Sequence, residues 1–170
     1  MPIEKVLTNA VLCFLVDGSR VLLARKAKKI GQGCWNGYGG GINKNETEVQ
    51  AVWRELKEES GVEIELSSLE KVAIVDFFNT KSDGKTFTCK VHVYLASNWK
   101  GVPRETEEML CPTWFNVNNL PFEEMMPSDK EWLPHIFKKE KIIAKAFLGP
   151  FQRESLKKMK IKIMRNFSQK

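Results

Sequence analysis

Gly40-Gly41-Ile42-Asn43-Lys44-Asn45-Glu46, then seven residues, then Arg54-Glu55-Leu56-Lys57-Glu58-Glu59-Ser60-Gly61-Val62: this stretch decides how the chain is read. Val49, Val52, Trp53 and Leu56 recur at three or four residues, which predicts a helix from about Thr47 to Ser60 with one apolar face. Gly61 stands where such a helix ends. Glu55, Glu58 and Glu59 then share one face of it. Like charges so close repel, and a helix tolerates the cluster when a cation neutralises it. Hard cations such as Mg²⁺ take oxygen ligands, binding through carboxylates and substrate phosphate oxygens. Taken alone, a glutamate trio is more often a solvated face. Arg54 can pair bidentately with a carboxylate and tie the helix to the preceding loop, with Glu46 as partner. Gly39-Gly40-Gly41 reads as a glycine-rich turn that lets backbone approach a ligand, its carbonyls able to face a metal.

Outward from this stretch the chain reads as strands. Thr8 to Val16 is apolar and β-branched, Asp17-Gly18-Ser19 is a turn, and Val21-Leu22-Leu23 returns as a hairpin. Lys26 to Tyr38 is loop-like. Leu69 to Phe78 and Phe87 to Leu95 are strands joined by Lys81-Ser82-Asp83-Gly84, and Thr113 to Val117 is a short one. Ser128 is placed to cap a second helix running to about Lys139, with Trp132, Leu133 and Ile136 on its apolar face. Ile142 to Leu148 and Leu156 to Met164 form a closing hairpin around Gly149-Pro150. In its second arm Met159, Ile161 and Ile163 alternate with lysines, as in an outer strand. Strands with few helices predict an α+β fold, mixed or antiparallel sheets sandwiched between helices. No linker or repeat divides residues 1–170, so one domain is expected.

Composition is that of a soluble globular protein, at 42% hydrophobic and 28% charged residues. No apolar run is long enough to span a membrane, and the N-terminus lacks a secretory pattern. Cys13, Cys34, Cys89 and Cys111 are scattered, which predicts reduced thiols and a cytoplasmic setting. His92 and His135 are not at zinc-ligand spacing to them. The net charge of +6 is uneven: residues 131–170 hold 11 Lys+Arg against 3 Asp+Glu. Because these charges alternate with apolar residues, they are read as a solvated surface rather than as a nucleic-acid site. Attraction of a polyanionic substrate, or weak nucleic-acid contact, is the lesser alternative.

The whole opening pattern resembles the Nudix box: Gly, five residues, Glu, seven residues, Arg-Glu, an aliphatic, any residue, Glu-Glu, any residue, Gly, an aliphatic. Every fixed position is filled. At average composition such a coincidence at a given start has odds on the order of 10⁻⁹. The resemblance extends to the MutT-type branch, which includes enzymes acting on oxidised purine nucleoside triphosphates. It is carried by Arg20-Val21-Leu22-Leu23, Trp35-Asn36-Gly37-Tyr38-Gly39-Gly40, Val91-His92-Val93, Trp114-Phe115, Pro121-Phe122, and Pro127 with Asp129 and Trp132.

That resemblance implies a Nudix fold and a residue-by-residue assignment. Glu55, Glu58 and Glu59 match the metal ligands, with Glu59 also in the strongest metal-binding or base position. The Gly39 carbonyl matches a backbone ligand, and Glu46 with Arg54 the structural ion pair. Glu108 resembles a carboxylate that assists near the metal, its alternative being an exposed loop acid. Lys26 matches a lysine near the phosphates. Asn36 and Asp129 match residues that hydrogen-bond the purine, Phe77 an aromatic wall, and Met126 and Trp132 further positions beside the base. Four positions depart from the pattern: Ser128 replaces the first of two paired aspartates, Met126 a stacking tryptophan, Ile30 a phenylalanine and Gly41 a lysine.

The implied reaction is attack of water on phosphorus, with Mg²⁺ (or Mn²⁺) as cofactor, releasing pyrophosphate and a nucleoside monophosphate from substrates such as 8-oxo-dGTP. Nucleotide-pool cleansing by a monomer or weak dimer, without membrane or obligate protein partner, is the corresponding expectation. ADP-ribose, dinucleoside polyphosphates, dihydroneopterin triphosphate and 5′-triphosphorylated RNA are alternative substrates within the family. A non-catalytic binding module is the alternative outside enzymology, and such modules typically lose box glutamates.

Overall fold

The structure is a computed structural model in which residues 6–167 are described. Eleven strands are defined among these residues: β1 (Asn9–Asp17), β2 (Arg20–Lys26), β3 (Trp35–Asn36), β4 (Tyr38–Gly41), β5 (Glu63–Ile64), β6 (Leu69–Thr80), β7 (Thr86–Ala96), β8 (Trp99–Lys100), β9 (Met109–Asn116), β10 (Lys141–Leu148) and β11 (Ser155–Met164). Two helices, α1 (Glu48–Ser60) and α2 (Asp129–Phe137), accompany them. The main sheet runs β11-β10-β6-β7-β1-β2-β3, with β4 also paired to β1 and β9 to β2. β5 and β8 make a separate small ribbon.

The pleat of β1 explains the layering. Val11, Cys13 and Leu15 point to one side and meet Ala51, Val52 and Leu56 of α1. Phe14, with Leu12 and Val16 beside it, points to the other side and packs with Trp132, Leu133 and Ile136 of α2. The expected α+β sandwich is therefore present, with one helix on each face. The sheet is mixed. β1 pairs with β7 in parallel, as does β6 with β10, while β1–β2, β6–β7 and β10–β11 are antiparallel. β11 lies at the sheet edge, and its lysines alternate there with the buried Met159.

Both ends of α1 follow from local chemistry. Thr47 is the N-cap, accepting from the Gln50 N–H at 3.1 Å, while the Gln50 side chain accepts from the Thr47 N–H at 2.9 Å. Gly61 closes the helix at φ 82°, its N–H donating to the Lys57 carbonyl at 3.0 Å.

Four expectations are corrected. Gly39, Gly40 and Gly41 are strand residues of β4, not a turn. Their missing side chains let β4 press between β1 and α1. A Cβ on Gly39 would run into the Val11 carbonyl, and one on Gly40 would lie 2.5 Å from Oε1 of Glu55. Ser128 does not cap α2 through its side chain. Its backbone is already helical, and its buried hydroxyl has no partner. Finally, α2 ends at Phe137 and not near Lys139, which sits in the left-handed region at φ 67°. The segment read as a loop from Lys26 to Tyr38 also contains β3.

All four cysteines are free. No helix among the described residues is long and apolar enough to cross a membrane. Leu56, fully buried under α1, should report on the helix–sheet contact. Leu56→Ala is expected to cost about 3 kcal/mol, seen as a lower denaturation midpoint in urea with an unchanged slope.

Candidate active site

Arg54 fixes the geometry of the box. Its Nε donates to Oε2 of Glu46 at 2.7 Å, and one terminal nitrogen donates to Oε1 of Glu46 at 2.9 Å and to the Gly41 carbonyl at 3.0 Å. The other terminal nitrogen donates to Oε1 of Glu55 at 2.8 Å and lies 3.5 Å from Glu58. The expected Glu46–Arg54 pair is thus bidentate. It also joins helix, loop and β4, and Arg54 holds the Glu46 carboxyl down at about 2.

The glutamates of α1 are not a solvated face. Glu55 and Glu59 are 8% and 7% exposed, while Glu58 faces outward. Oε1 of Glu59 accepts the Gly39 N–H at 3.0 Å, so Gly39 meets the acidic cluster through its amide. Burial raises the pKa of Glu55. Burial, a hydrogen bond with Glu108 and the nearby Glu55 push Glu59 up to about 9. Glu108 reaches this position because β9 starts opposite the end of β2, Met109 pairing with Lys26. The Ala27 N–H donates to the Glu108 carbonyl at 2.9 Å, and the Thr106 hydroxyl donates to the Glu59 carbonyl at 2.9 Å. Lys26 stands among these acids, and burial lowers its pKa against their attraction.

A cavity of about 350 Å³ opens beside these groups, a volume suited to a small organic ligand. Glu55, Glu58, Glu59, Glu108, Lys26 and Gly39 line it. So do Asn36, Phe77, Met126, Asp129 and Trp132. Sequence separates these residues by up to about a hundred positions, and the sheet brings them together. Asp129 is buried, accepting from Trp132 Nε1 at 3.2 Å and from the Met126 N–H at 3.3 Å. Burial raises its pKa to about 7. Asn36 accepts the Gly37 N–H at 2.8 Å through its side-chain oxygen. Of the four departures, Met126, Ile30 and Gly41 line the cavity, whereas Ser128 is buried away from it.

Among the lining residues that escaped the sequence reading are two amides. Asn79, 3% exposed, and Gln152 are hydrogen-bonded to each other. The available signal was the strand alternation of β6, which puts Asn79 on the same face as Phe77. Nothing local marks Gln152, which follows β10 and arrives through the parallel β6–β10 pairing, Leu148 opposite Asn79.

The donor set fits a hard divalent cation. Four glutamates line one side of the cavity, two of them are buried, and burial with its acidic neighbours drives Glu59 to retain a proton. Among the described residues no three His, Cys, Asp or Glu side chains form a ready-made ligand cluster. Glu55 is turned toward Arg54 and Glu59 toward Gly39.

The Glu46–Arg54 pair carries a pH signature. With its folded pKa at about 2, below the ordinary carboxylate value, Glu46 contributes stability that is complete above that ordinary value. The contribution is lost as pH falls toward about 2. Thermal melts of Glu46→Gln and the unmodified protein should therefore differ most above about pH 5 and converge near about pH 2.

A model of the NUDIX domain matches residues 6–136. An oxidized purine nucleoside triphosphate hydrolase of Danio rerio is 38% identical over 141 residues, 83% of each chain. Its counterpart in Mus musculus is 36% identical over the same share. A mutator MutT protein of Bacillus halodurans superposes with a TM-score of 0.75 at 22% identity, covering 92% of this chain and 98% of its own. A MutT NUDIX hydrolase of Burkholderia pseudomallei gives a TM-score of 0.59 at 27% identity, covering 69% and 88%. With the box complete, its arginine engaged and its glutamates gathered on one cavity, the chain belongs to the Nudix family.

Proposed function

We propose that this chain hydrolyses oxidised purine nucleoside triphosphates, such as 8-oxo-dGTP, to the monophosphate and pyrophosphate. The observation that carries the reading is the sharing of one cavity by the box carboxylates and by Asn36 and Asp129. A triphosphate beside the carboxylates leaves its base among amide, carboxyl and aromatic groups. The similar proteins from Danio rerio and Mus musculus are named for this class of substrate.

In this reading Glu55, Glu58 and Glu59, with Glu108 and the Gly39 carbonyl, would hold the divalent cation, Mg²⁺ or Mn²⁺. When bound, such a cation lowers the pKa of water and neutralises charge on phosphate oxygens. The protein's own groups do the rest. Lys26 offers a positive charge to the phosphates. Arg54 holds Glu55 by a hydrogen bond to its Oε1. Glu59, once its neighbours' charge is balanced, is free to lose its proton and accept one from water. Phe77, Met126 and Trp132 exclude water around the base, and Asn36 and Asp129 present hydrogen-bonding groups to it. Nucleotide-pool cleansing in the cytoplasm is the role that follows from such an activity.

Purified protein with Mg²⁺ should hydrolyse 8-oxo-dGTP with a kcat/KM at least about tenfold above that for dGTP, a step worth about 1.4 kcal/mol. Equal rates would defeat the substrate assignment. A panel including ADP-ribose, dinucleoside polyphosphates and 5′-triphosphorylated RNA identifies the replacement. Chelation should abolish turnover. Glu59→Gln should lower kcat by about 10³-fold or more without loss of folding by circular dichroism, and retained activity would sink the assignment of Glu59.

A further inference from the structure

Asn79 and Gln152 form an amide pair whose polarity is forced by its surroundings. Nδ2 of Asn79 donates to the Phe77 carbonyl at 3.0 Å. A carbonyl only accepts, so the Asn79 nitrogen is the donor and its Oδ1 must accept. Oδ1 receives Nε2 of Gln152 at 2.7 Å. That bond fixes which end of the Gln152 amide is nitrogen. Gln152 makes no other side-chain hydrogen bond among the described residues, so one N–H and its carbonyl oxygen remain for another partner. Neither atom is among the buried, unpartnered side-chain atoms of the described residues. Both residues line the cavity that holds the box carboxylates.

The backbone shows that this placement is built rather than incidental. Phe151 and Gln152 lie at φ 57° and 56°, consecutive non-glycine residues in the left-handed region. Such conformations cost free energy and persist where surrounding contacts over-determine them. The Gln152 N–H donates to the Gly149 carbonyl at 3.0 Å, and the Gly149 N–H to the Glu154 carbonyl at 3.0 Å, closing the turn that presents the amide. In sheet order Asn79 on β6 is separated from Asn36 on β3 by β7, β1 and β2. The amide pair therefore approaches a base from a different side than Asn36 does.

We propose that Gln152, oriented by Asn79, is a specificity-determining residue that reads the oxidised edge of the purine; this rests on the oxidised-purine reading above. The chemistry of the edge supplies the discrimination. Guanine presents two acceptors there, N7 and O6. In 8-oxoguanine N7 carries a proton and C8 a carbonyl, so the edge becomes a donor flanked by acceptors. The spare N–H and carbonyl of Gln152 match that donor–acceptor pair bidentately. Against guanine the amide oxygen would face the N7 lone pair, leaving at most one hydrogen bond and an unmatched acceptor.

The test is the ratio of kcat/KM for 8-oxo-dGTP to that for dGTP in the full chain, measured for the unmodified protein, Gln152→Leu, Gln152→Ala and Asn79→Leu. Gln152 is only half-buried, so its variants should fold even if Asn79→Leu does not, and melting curves verify this. The ratio should fall about tenfold in the Gln152 variants, mostly through a raised KM for 8-oxo-dGTP. A purely structural role would instead depress both substrates together. If the unmodified protein prefers 8-oxo-dGTP and the Gln152 variants keep that preference, this inference is overturned and the substrate reading stands. If the unmodified protein shows no preference, the substrate reading fails and the inference falls with it.

Discussion

Arg54 reaches Glu46, Glu55 and the Gly41 carbonyl at once, and the seam between α1 and β4 depends on that convergence. Without it, Glu55 would sit buried beneath a glycine strand with its charge unanswered. The strand comes so close because Gly39 and Gly40 have no side chains, and the closeness in turn brings the Gly39 amide to Glu59. One guanidinium thus holds the helix, the strand and the acidic cluster in a single arrangement. A lysine, with one point charge and no fork, has no means of meeting the same partners together.

Much of this was legible in the sequence, for identifiable reasons. The boundaries of α1 are local: a threonine and glutamine reciprocate at one end and a glycine turns at the other. The two-sided burial of β1 is written in its unbroken apolar run, since Val11 to Val16 pack alternately into the cores on the two faces of the sheet. What was not legible is non-local. The parallel pairings of β1 with β7 and of β6 with β10 leave no pattern in either strand. Gly39-Gly40-Gly41 looked like a turn because glycine there permits close packing, not a bend. Ser128 has the composition of a cap but is already helical and buried. For the site, the box glutamates were readable as a pattern, yet burial of Glu55 and Glu59 rather than Glu58 became visible only with β4 in place. Gln152 gave no signal at all, because its role depends on a backbone turn and on Asn79 seventy-three residues away.

The two sides of the cavity come from different parts of the fold. The glutamates and Lys26 belong to α1, to the end of β2 and to the residue just before β9. The groups placed for the base belong to β3, β6, α2 and the turn after β10. Changes on the second set can alter what is bound while leaving the acidic cluster and its arginine untouched. The departures at Met126, Ile30 and Ser128 all fall there or near it, and none touches the α1 carboxylates.

The parallel pairing at the centre of the sheet bears on how the protein is born. Asn9 lies against Lys90, roughly eighty residues apart in sequence, and a contact of that separation carries a large loop-closure cost before it returns any packing. The first strand therefore leaves the ribosome long before its neighbour exists, with Val11, Cys13, Phe14 and Leu15 uncovered on both sides. Its hairpin with β2 and the nearby β4 offer early company, but on one edge only. The other edge stays open until β7 is made. That interval is when this chain is most exposed to mispairing with another copy, and chaperone dependence during synthesis should concentrate there.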